Sequence, residues 1–150
     1  MRSLLKPLPF FFLFLLTSMI TGGCKKYPDG PTISVIPKNW RLQGDWKTSK
    51  VLQNGKDITS YALANVASEH KKIDRKGGFS YALLTTNGSY VSYAGTWSFS
   101  SDKTVVYFSY ALYNGATTDQ YLILRLEEND LWLQNVNVQG DVMEYHYSPN

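Results

Sequence analysis

The sequence predicts an all-β fold built as an antiparallel meander of short strands. Two observations predict it. Turn-forming residues recur at intervals that suit successive hairpins, and the segments between these turns alternate apolar and polar side chains, as strands with one buried face do. The chain has 150 residues, which is enough for one folded domain and an N-terminal segment of different composition.

Residues 1–23 are typical of an export signal. Arg2 and Lys6 supply a short basic region, and an apolar run follows from Leu8 to Leu16. This run is shorter than the roughly 20 apolar residues that a helix needs to cross a bilayer. We therefore predict a signal peptide that is removed and contributes nothing to the fold.

Small residues, Thr21-Gly22-Gly23, stand directly before Cys24, which is the only cysteine of the chain. This arrangement resembles the lipobox of bacterial lipoproteins. The resemblance implies that Cys24 becomes the first mature residue and carries acyl chains such as palmitate, which anchor the protein to a membrane of the cell envelope. Lys25 stands where an acidic residue favours inner-membrane retention, so an outer-membrane location is expected. An ordinary secretory signal with an incidental cysteine is the alternative.

Residues 24–39 read as a lipidated N-terminus and a proline-rich spacer. Pro28, Pro31 and Pro37 exclude a regular helix and disfavour a central strand. The folded domain is predicted at residues 40–150, a length that suits one hydrophobic core.

Seven turn signals divide this domain into strands. Asn-Gly and Gly-Asp pairs tolerate the positive φ that tight turns need. The signals are Asn54-Gly55, Gly77-Gly78, Asn87-Gly88, Ser101-Asp102, Asn114-Gly115, Glu128-Asn129-Asp130 and Gly140-Asp141.

The segments between the turns carry their large apolar side chains at every second position. In residues 89–100, for example, the odd positions are mostly large and the even positions mostly small or polar. The predicted core-facing sets are Phe79, Tyr81 and Leu83; Val91, Tyr93, Trp97 and Phe99; Val106, Phe108, Tyr110 and Leu112; Leu122, Leu124 and Leu126; and Met143, Tyr145 and Tyr147.

Two stretches depart from this alternation. Residues Leu131 to Val138 change phase, which predicts a β-bulge near Gln134. Residues Ile58 to Glu69 contain no Gly or Pro and space their apolar residues four apart, with Asp57 available as N-cap. They predict a short helix after the first strand.

The segment Leu42-Gln43-Gly44-Asp45-Trp46-Lys47 resembles the Gly-x-Trp signature of lipocalins and of the lipocalin-like domains of bacterial envelope lipoproteins. The resemblance covers Trp40 to about Tyr147. It implies that the meander closes into an up-and-down barrel of about eight strands, and that Gly44 and Trp46 are structural residues at the closed end. An immunoglobulin-like sandwich is the rival architecture, to be expected if the first and last strands do not pair.

The lipocalin resemblance implies a non-enzymatic protein that binds a small apolar ligand inside the barrel. Five aromatic residues on the core-facing phase are candidates for the lining. The alternative is that these rings fill the core, and that the protein is a structural envelope module whose surface binds another envelope protein or a glycan. The five residues are Tyr81, Tyr93, Phe108, Tyr110 and Tyr145.

The sequence contains no motif for catalysis, for a cofactor or for a metal. His70 and His146 lack metal-ligand spacing, and no HExxH or Gly-x-Ser-x-Gly motif occurs. Without the signal, Lys and Arg exceed Asp and Glu by one, and short pairs such as Lys71-Lys72 cannot follow a phosphate backbone. We therefore expect neither an enzyme nor a nucleic-acid partner.

Overall fold

The computed structural model describes residues 27–30, 35–113 and 115–150. The predicted signal peptide, Cys24 and the turn residue Asn114 lie outside these residues. In chain order the elements are α1 (Lys38–Leu42), β1 (Gly44–Gln53), β2 (Lys56–Asp57), α2 (Thr59–Ala62), β3 (Val66–Ile73), β4 (Gly78–Thr85), β5 (Tyr90–Phe99), β6 (Val105–Leu112), β7 (Gly115–Leu126), β8 (Leu131–Val136) and β9 (Val142–Pro149).

The strands form one antiparallel sheet that closes on itself. Neighbours pair in the order β2-β1-β3-β4-β5-β6-β7-β8-β9, and β1 also pairs with β9, from Trp46 opposite Pro149 to Gln53 opposite Met143. β1 and β3 to β9 thus make an eight-strand wall. The two-residue strand β2 pairs with the end of β1 and forms a short hairpin with it. The predicted barrel is confirmed. The sandwich alternative is wrong, because the first and last strands pair.

The turn residues have the backbone conformation that their sequence predicts. Asn54 and Gly55, between β1 and β2, have φ values of 51° and 79°. Gly77, Gly88 and Gly140 also have positive φ, and each lies in a connection between two strands. Because side chains other than Asn and Asp rarely adopt this conformation, these residues fix where the hairpins turn.

The predicted helix after the first strand is present but shorter than expected. It covers only Thr59–Ala62, and the Thr59 N–H donates to Asp57 Oδ1 at 2.9 Å next to its start. Residues from Val66 onward form β3, which pairs with β4 from Val66 opposite Thr85. Hydrogen bonds between strands therefore outweigh the local helix propensity of this alanine-containing segment.

Two predictions about β7 and its pairing with β8 are wrong. Leu122, predicted to be buried, is 40% exposed, whereas Ile123 beside it is fully buried. The pairing of β7 with β8 shifts between Ile123 and Arg125, so the bulge lies in β7 and not near Gln134. A bulge inserts one residue and thereby reverses which side chains face inward. Val138, at 95% exposure, lies beyond the end of β8.

One end of the barrel, here called the floor, is closed by α1 and packed with side chains. Trp46 is 1% exposed, and its indole N–H donates to the Leu42 carbonyl at 3.0 Å. A Cβ on Gly44 would lie 3.0 Å from Trp46 Nε1, so a larger residue would press on the indole. The Arg41 guanidinium donates to the Leu126 carbonyl and ties α1 to β7. The Gly-x-Trp segment therefore lies at the closed end.

The residues Tyr27–Gly30 pack against the same floor. Tyr27 is 3% exposed, and its hydroxyl donates to the Lys103 carbonyl at 2.9 Å, in the turn between β5 and β6. The Asp29 N–H donates to the Leu124 carbonyl at 3.0 Å. Part of the segment predicted as a spacer is thus docked on the barrel, and the burial of Tyr27 was not predicted from the sequence.

Candidate ligand-binding cavity

A cavity of about 360 Å³ occupies the half of the barrel opposite the floor and opens at the far end, here called the mouth. It lies between the helix α2 and the inner faces of six strands, β1, β3, β4, β5, β7 and β9. Its side chains are mainly aliphatic and aromatic, with two charged groups among them. The lining residues are Thr48, Val51, Ile58, Tyr61, Ala62, Leu63, Val66, Glu69, Lys71, Tyr81, Leu83, Tyr93, Tyr121, Met143, Tyr145 and Tyr147.

The helix α2 forms one side of the mouth. Ala62 belongs to it and lines the cavity although it is exposed to solvent. Thr59 ties the helix to β1, because its Oγ1 accepts a hydrogen bond from the Val51 N–H at 2.9 Å. The side chain of Tyr61 is 85% exposed at the rim. The entrance is therefore framed by a short helix that Thr59 joins to β1.

Stacked tyrosines form the wall on β4, β5 and β6. The rings of Tyr81 and Tyr93 are 5.1 Å apart, and those of Tyr93 and Tyr110 are 4.2 Å apart, with interplanar angles of 29° and 21°. The Tyr110 hydroxyl donates to Asp119 Oδ2 at 2.8 Å. Such stacking holds the rings in fixed positions and gives the cavity a preformed apolar surface with polar hydroxyls at its edges.

The structure divides the five predicted lining residues into two groups. Tyr81, Tyr93 and Tyr145 line the cavity. Phe108 is 1% exposed and lies in the packed core, with its ring 4.6 Å from that of Phe79. Tyr110 stacks on Tyr93 but does not itself line the cavity. Alternation along a strand predicts which residues face inward, but it does not predict which of these reach the cavity.

Lys71 lies where the cavity meets the packed floor. On β3 it is paired with Trp46 of β1 on one side and with Tyr81 of β4 on the other. It is 6% exposed, and its ammonium donates to the Tyr147 hydroxyl at 2.6 Å. A lysine in the interior of a barrel is unusual, because a charged group loses its hydration there.

Four aromatic rings surround the Lys71 ammonium. The ring centroids lie between 4.2 and 5.9 Å from Nζ, and that of Tyr147 is the closest. The negative faces of aromatic rings attract a cation by about 0.5–2 kcal/mol each, which offsets part of the lost hydration. Burial nevertheless lowers the pKa of Lys71 to about 8, against the weaker opposing effects of Glu69 and Asp119. The other rings are those of Tyr81, Phe108 and Tyr121.

The second charged group of the cavity is Glu69, two residues before Lys71 on β3. Its Oε2 accepts a hydrogen bond from the Thr48 N–H at 2.8 Å, so the carboxylate is bound to the wall. Burial, followed by the negative charge of Glu69, raises the pKa of the Tyr81 hydroxyl. This tyrosine therefore stays protonated and neutral at physiological pH.

Sequence reasoning missed Lys71 and Tyr121, for two different reasons. Lys71 stood next to Lys72 and was interpreted only as part of a short basic pair. Its strand also carries the charged Glu69 on the inner face, so hydrophobic alternation could not reveal which residues of β3 face inward. Tyr121 was assigned to the outer face because the leucines of β7 were taken as the inner set. The alternation of Lys71 with Ile73 was the one signal available for the lysine.

The two histidines lie on the outer face of the barrel, away from the cavity. His70 Nδ1 is 3.0 Å from Asp45 Oδ2, and the His146 ring stacks on the indole of Trp132 at 4.0 Å. Within the described residues no three His, Cys, Asp or Glu side chains form a cluster that could hold a metal ion. No helix in the same part of the chain has the length and apolar character needed to cross a membrane.

Comparisons with protein families and with curated proteins give no match. Among solved structures, the chain is similar to a lipocalin-like protein from Bacteroides uniformis ATCC 8492, with 16% identity and a TM-score of 0.53, over 73% of this chain and 99% of that one. It is also similar to an uncharacterized protein from Bacteroides eggerthii DSM 20697, with 16% identity and a TM-score of 0.48, over 74% and 99%. At such identity, the first likeness concerns the fold alone.

The burial of Lys71 predicts a specific pH dependence of stability. The pKa of this lysine falls from 10.5 to about 8 in the folded state, so between these values the unfolded chain binds more protons and stability rises with pH. From pH 7.5 to 9.5 the wild type should gain about 2 kcal/mol of unfolding free energy relative to Lys71→Met. Urea unfolding at the two pH values measures the difference.

The exposed neighbour Lys72 provides the matched control. Its side chain is 64% exposed and lies 3.9 Å from Asp45 Oδ2 on the outer face. Lys72→Met should follow the wild type over the same pH range. The raised pKa values of the cavity tyrosines lower stability from about pH 9 upward, where tyrosines of the unfolded chain begin to ionise, but this effect is the same in all three proteins. An equal pH response in wild type and Lys71→Met would contradict the prediction.

Proposed function

We propose that this chain, whose domain has a lipocalin-like fold, is a non-enzymatic binding protein that holds one small, largely apolar molecule in its barrel. The observation that carries the proposal is the cavity of about 360 Å³, lined by aliphatic and tyrosine side chains. Ligand sites in proteins are typically concave, mostly apolar and about 300–1,000 Å³ in volume. The alternative, a structural module with a packed core, would not contain a cavity of this size.

A second candidate function rests on the rim of the mouth. Three exposed tyrosines lie there, Tyr61 on α2, Tyr90 at the start of β5 and Tyr113 after β6. Tyrosine is common where proteins bind other proteins or glycans, because its ring is rigid and carries one hydrogen-bonding group. This rim could contact an envelope component whether or not the cavity holds a ligand.

We further propose that the domain is anchored to the outer membrane through acyl chains, palmitate among them, on Cys24. The proposal rests on the basic and apolar signal before Cys24 and on the small residues that precede it. Two or more acyl chains give stable anchoring, since each buried CH₂ contributes about 0.8 kcal/mol.

The docking of Tyr27 determines how such an anchor would orient the barrel. Tyr27 is fixed at the floor. Cys24 precedes it by three residues, and three residues of extended chain reach at most about 11 Å. A strand of eight residues such as β3 is about 26 Å long. The anchor therefore holds the floor towards the bilayer and directs the mouth away from it.

The binding proposal predicts that a large side chain at the mouth blocks the cavity. Ala62→Trp should weaken the binding of a neutral apolar fluorescent probe, N-phenyl-1-naphthylamine, by about ten-fold or more, equivalent to about 1.4 kcal/mol. Ala64→Trp is the matched control, because Ala64 is also exposed and close in sequence but does not line the cavity. Fluorescence titration measures both.

The same titration separates the two candidate functions. Weaker binding in Ala62→Trp and unchanged binding in Ala64→Trp would support the carrier. A wild-type protein that takes up neither this probe nor any small molecule retained through purification from its own host, as seen by native mass spectrometry, would overturn it. The tyrosine rim would then be the surface to test.

The lipid anchor predicts that the protein incorporates radiolabelled palmitate when produced in a host with the lipoprotein pathway. Cys24→Ser should abolish incorporation, because the chain has no other thiol to acylate. Labelling that persists in Cys24→Ser, or that is absent from the wild type, would contradict the anchor.

The orientation can be measured on the lipidated protein in vesicles. A fluorophore attached through Lys76→Cys, in the turn between β3 and β4 at the floor, should be quenched strongly by nitroxide-labelled lipid headgroups. The same fluorophore attached through Lys56→Cys, at the mouth, should be quenched weakly. Both positions are exposed, so labelling should not disturb the fold. Stronger quenching at the mouth would overturn the proposed orientation.

A further inference from the structure

The ammonium of Lys71 is held in the barrel with most of its hydrogen-bonding capacity unused. A charged lysine has three N–H donors. Among the described residues one acceptor is present, the Tyr147 hydroxyl at 2.6 Å, and no carboxylate forms an ion pair with this lysine. Aromatic rings attract the charge but accept no strong hydrogen bond. Two of the three N–H donors of Lys71, which itself lines the cavity, therefore have no acceptor among the described residues.

Two carboxylates act on Lys71 from a distance, but both are engaged elsewhere. Glu69 accepts a hydrogen bond from the Thr48 N–H, and Asp119 accepts one from the Tyr110 hydroxyl. Burying a cation without a partner is costly, whereas burying it with a hydrogen-bonded anion recovers much of that cost. An anion placed beside Lys71 would therefore gain more from this cavity than from a surface lysine.

The remaining walls indicate what must be attached to that anion. Above Lys71 the cavity is bounded by aliphatic side chains, among them Val51, Leu83 and Met143, and by tyrosine rings. The opening at the mouth is framed by Ile58 and Leu63, the two residues that flank α2. A molecule that fits has an acidic head at the bottom and an apolar body that extends towards the mouth.

We propose that the ligand of this cavity is a small amphiphile with an anionic head group, which enters head first and pairs with Lys71. The inference rests on the proposed binding function and specifies its ligand class. A carboxylate and a phosphate share the required chemistry, a negative charge with oxygens that accept from the ammonium. The four aromatic rings around Lys71 set the position of the charge, and Tyr147 fixes its direction.

The test compares ligands that share one alkyl chain and differ in the head. The affinities of decanoate, decyl phosphate and decan-1-ol are measured by displacement of the neutral probe N-phenyl-1-naphthylamine at pH 7. The assay is run on wild type, Lys71→Met and Lys72→Met. We expect at least one of the two anions to bind the wild type about ten-fold more tightly than the alcohol, a difference of about 1.4 kcal/mol. Lys71→Met should lose this preference while retaining the alcohol, and Lys72→Met should keep it.

The outcomes separate this inference from the function on which it rests. If the probe and all three ligands fail to bind the wild type, the binding function itself is overturned. If probe and alcohol bind but neither anion is preferred, or if Lys71→Met retains the preference, the binding function stands and the anionic ligand is overturned. Retained alcohol binding in Lys71→Met shows that the variant is folded. The stronger anion identifies the head as carboxylate or phosphate.

Discussion

The pairing of β1 with β9 is the constraint on which the rest of this structure depends. It runs along both strands, from Trp46 opposite Pro149 to Gln53 opposite Met143, and removes the two edges that an open meander would expose. Closure also creates an inside. The side chains that face inward on all eight strands then share one enclosed volume, in which some pack against each other and others line a cavity.

The closed barrel has two halves with different properties. At the floor, Trp46, Tyr27 and the helix α1 exclude water, and the core is packed. Towards the mouth, the tyrosine rings stack along the wall and leave an open space. Lys71 lies at the boundary between these halves. Its charge is therefore buried by the floor below and accessible to a ligand from above, a combination that neither half provides alone.

Much of the fold could be predicted from particular residues. Asn54-Gly55 and the other turn glycines located the hairpins, since few residues adopt positive φ. The alternation gave the inner face of β5 correctly from Tyr93 to Phe99, whereas Val91, also predicted to face the core, is exposed. The errors came where local pattern and pairing disagree. Strand pairing shortened the helix predicted at Ile58 to Glu69, and the bulge in β7 reversed the face on which Leu122 lies. A bulge depends on the register of the partner strand, which no local pattern contains.

The sequence by itself determined the all-β meander, its turns and the Gly-x-Trp segment at the start of β1. These are local properties, because each depends on residues close together in the chain. Only the tertiary structure decided which inward residues line the cavity, that Tyr27 docks at the floor, and that Lys71 is buried beneath a ligand-sized space. Lys71 is buried only because strands distant in sequence surround it once the barrel closes, and its charge then loses its hydration.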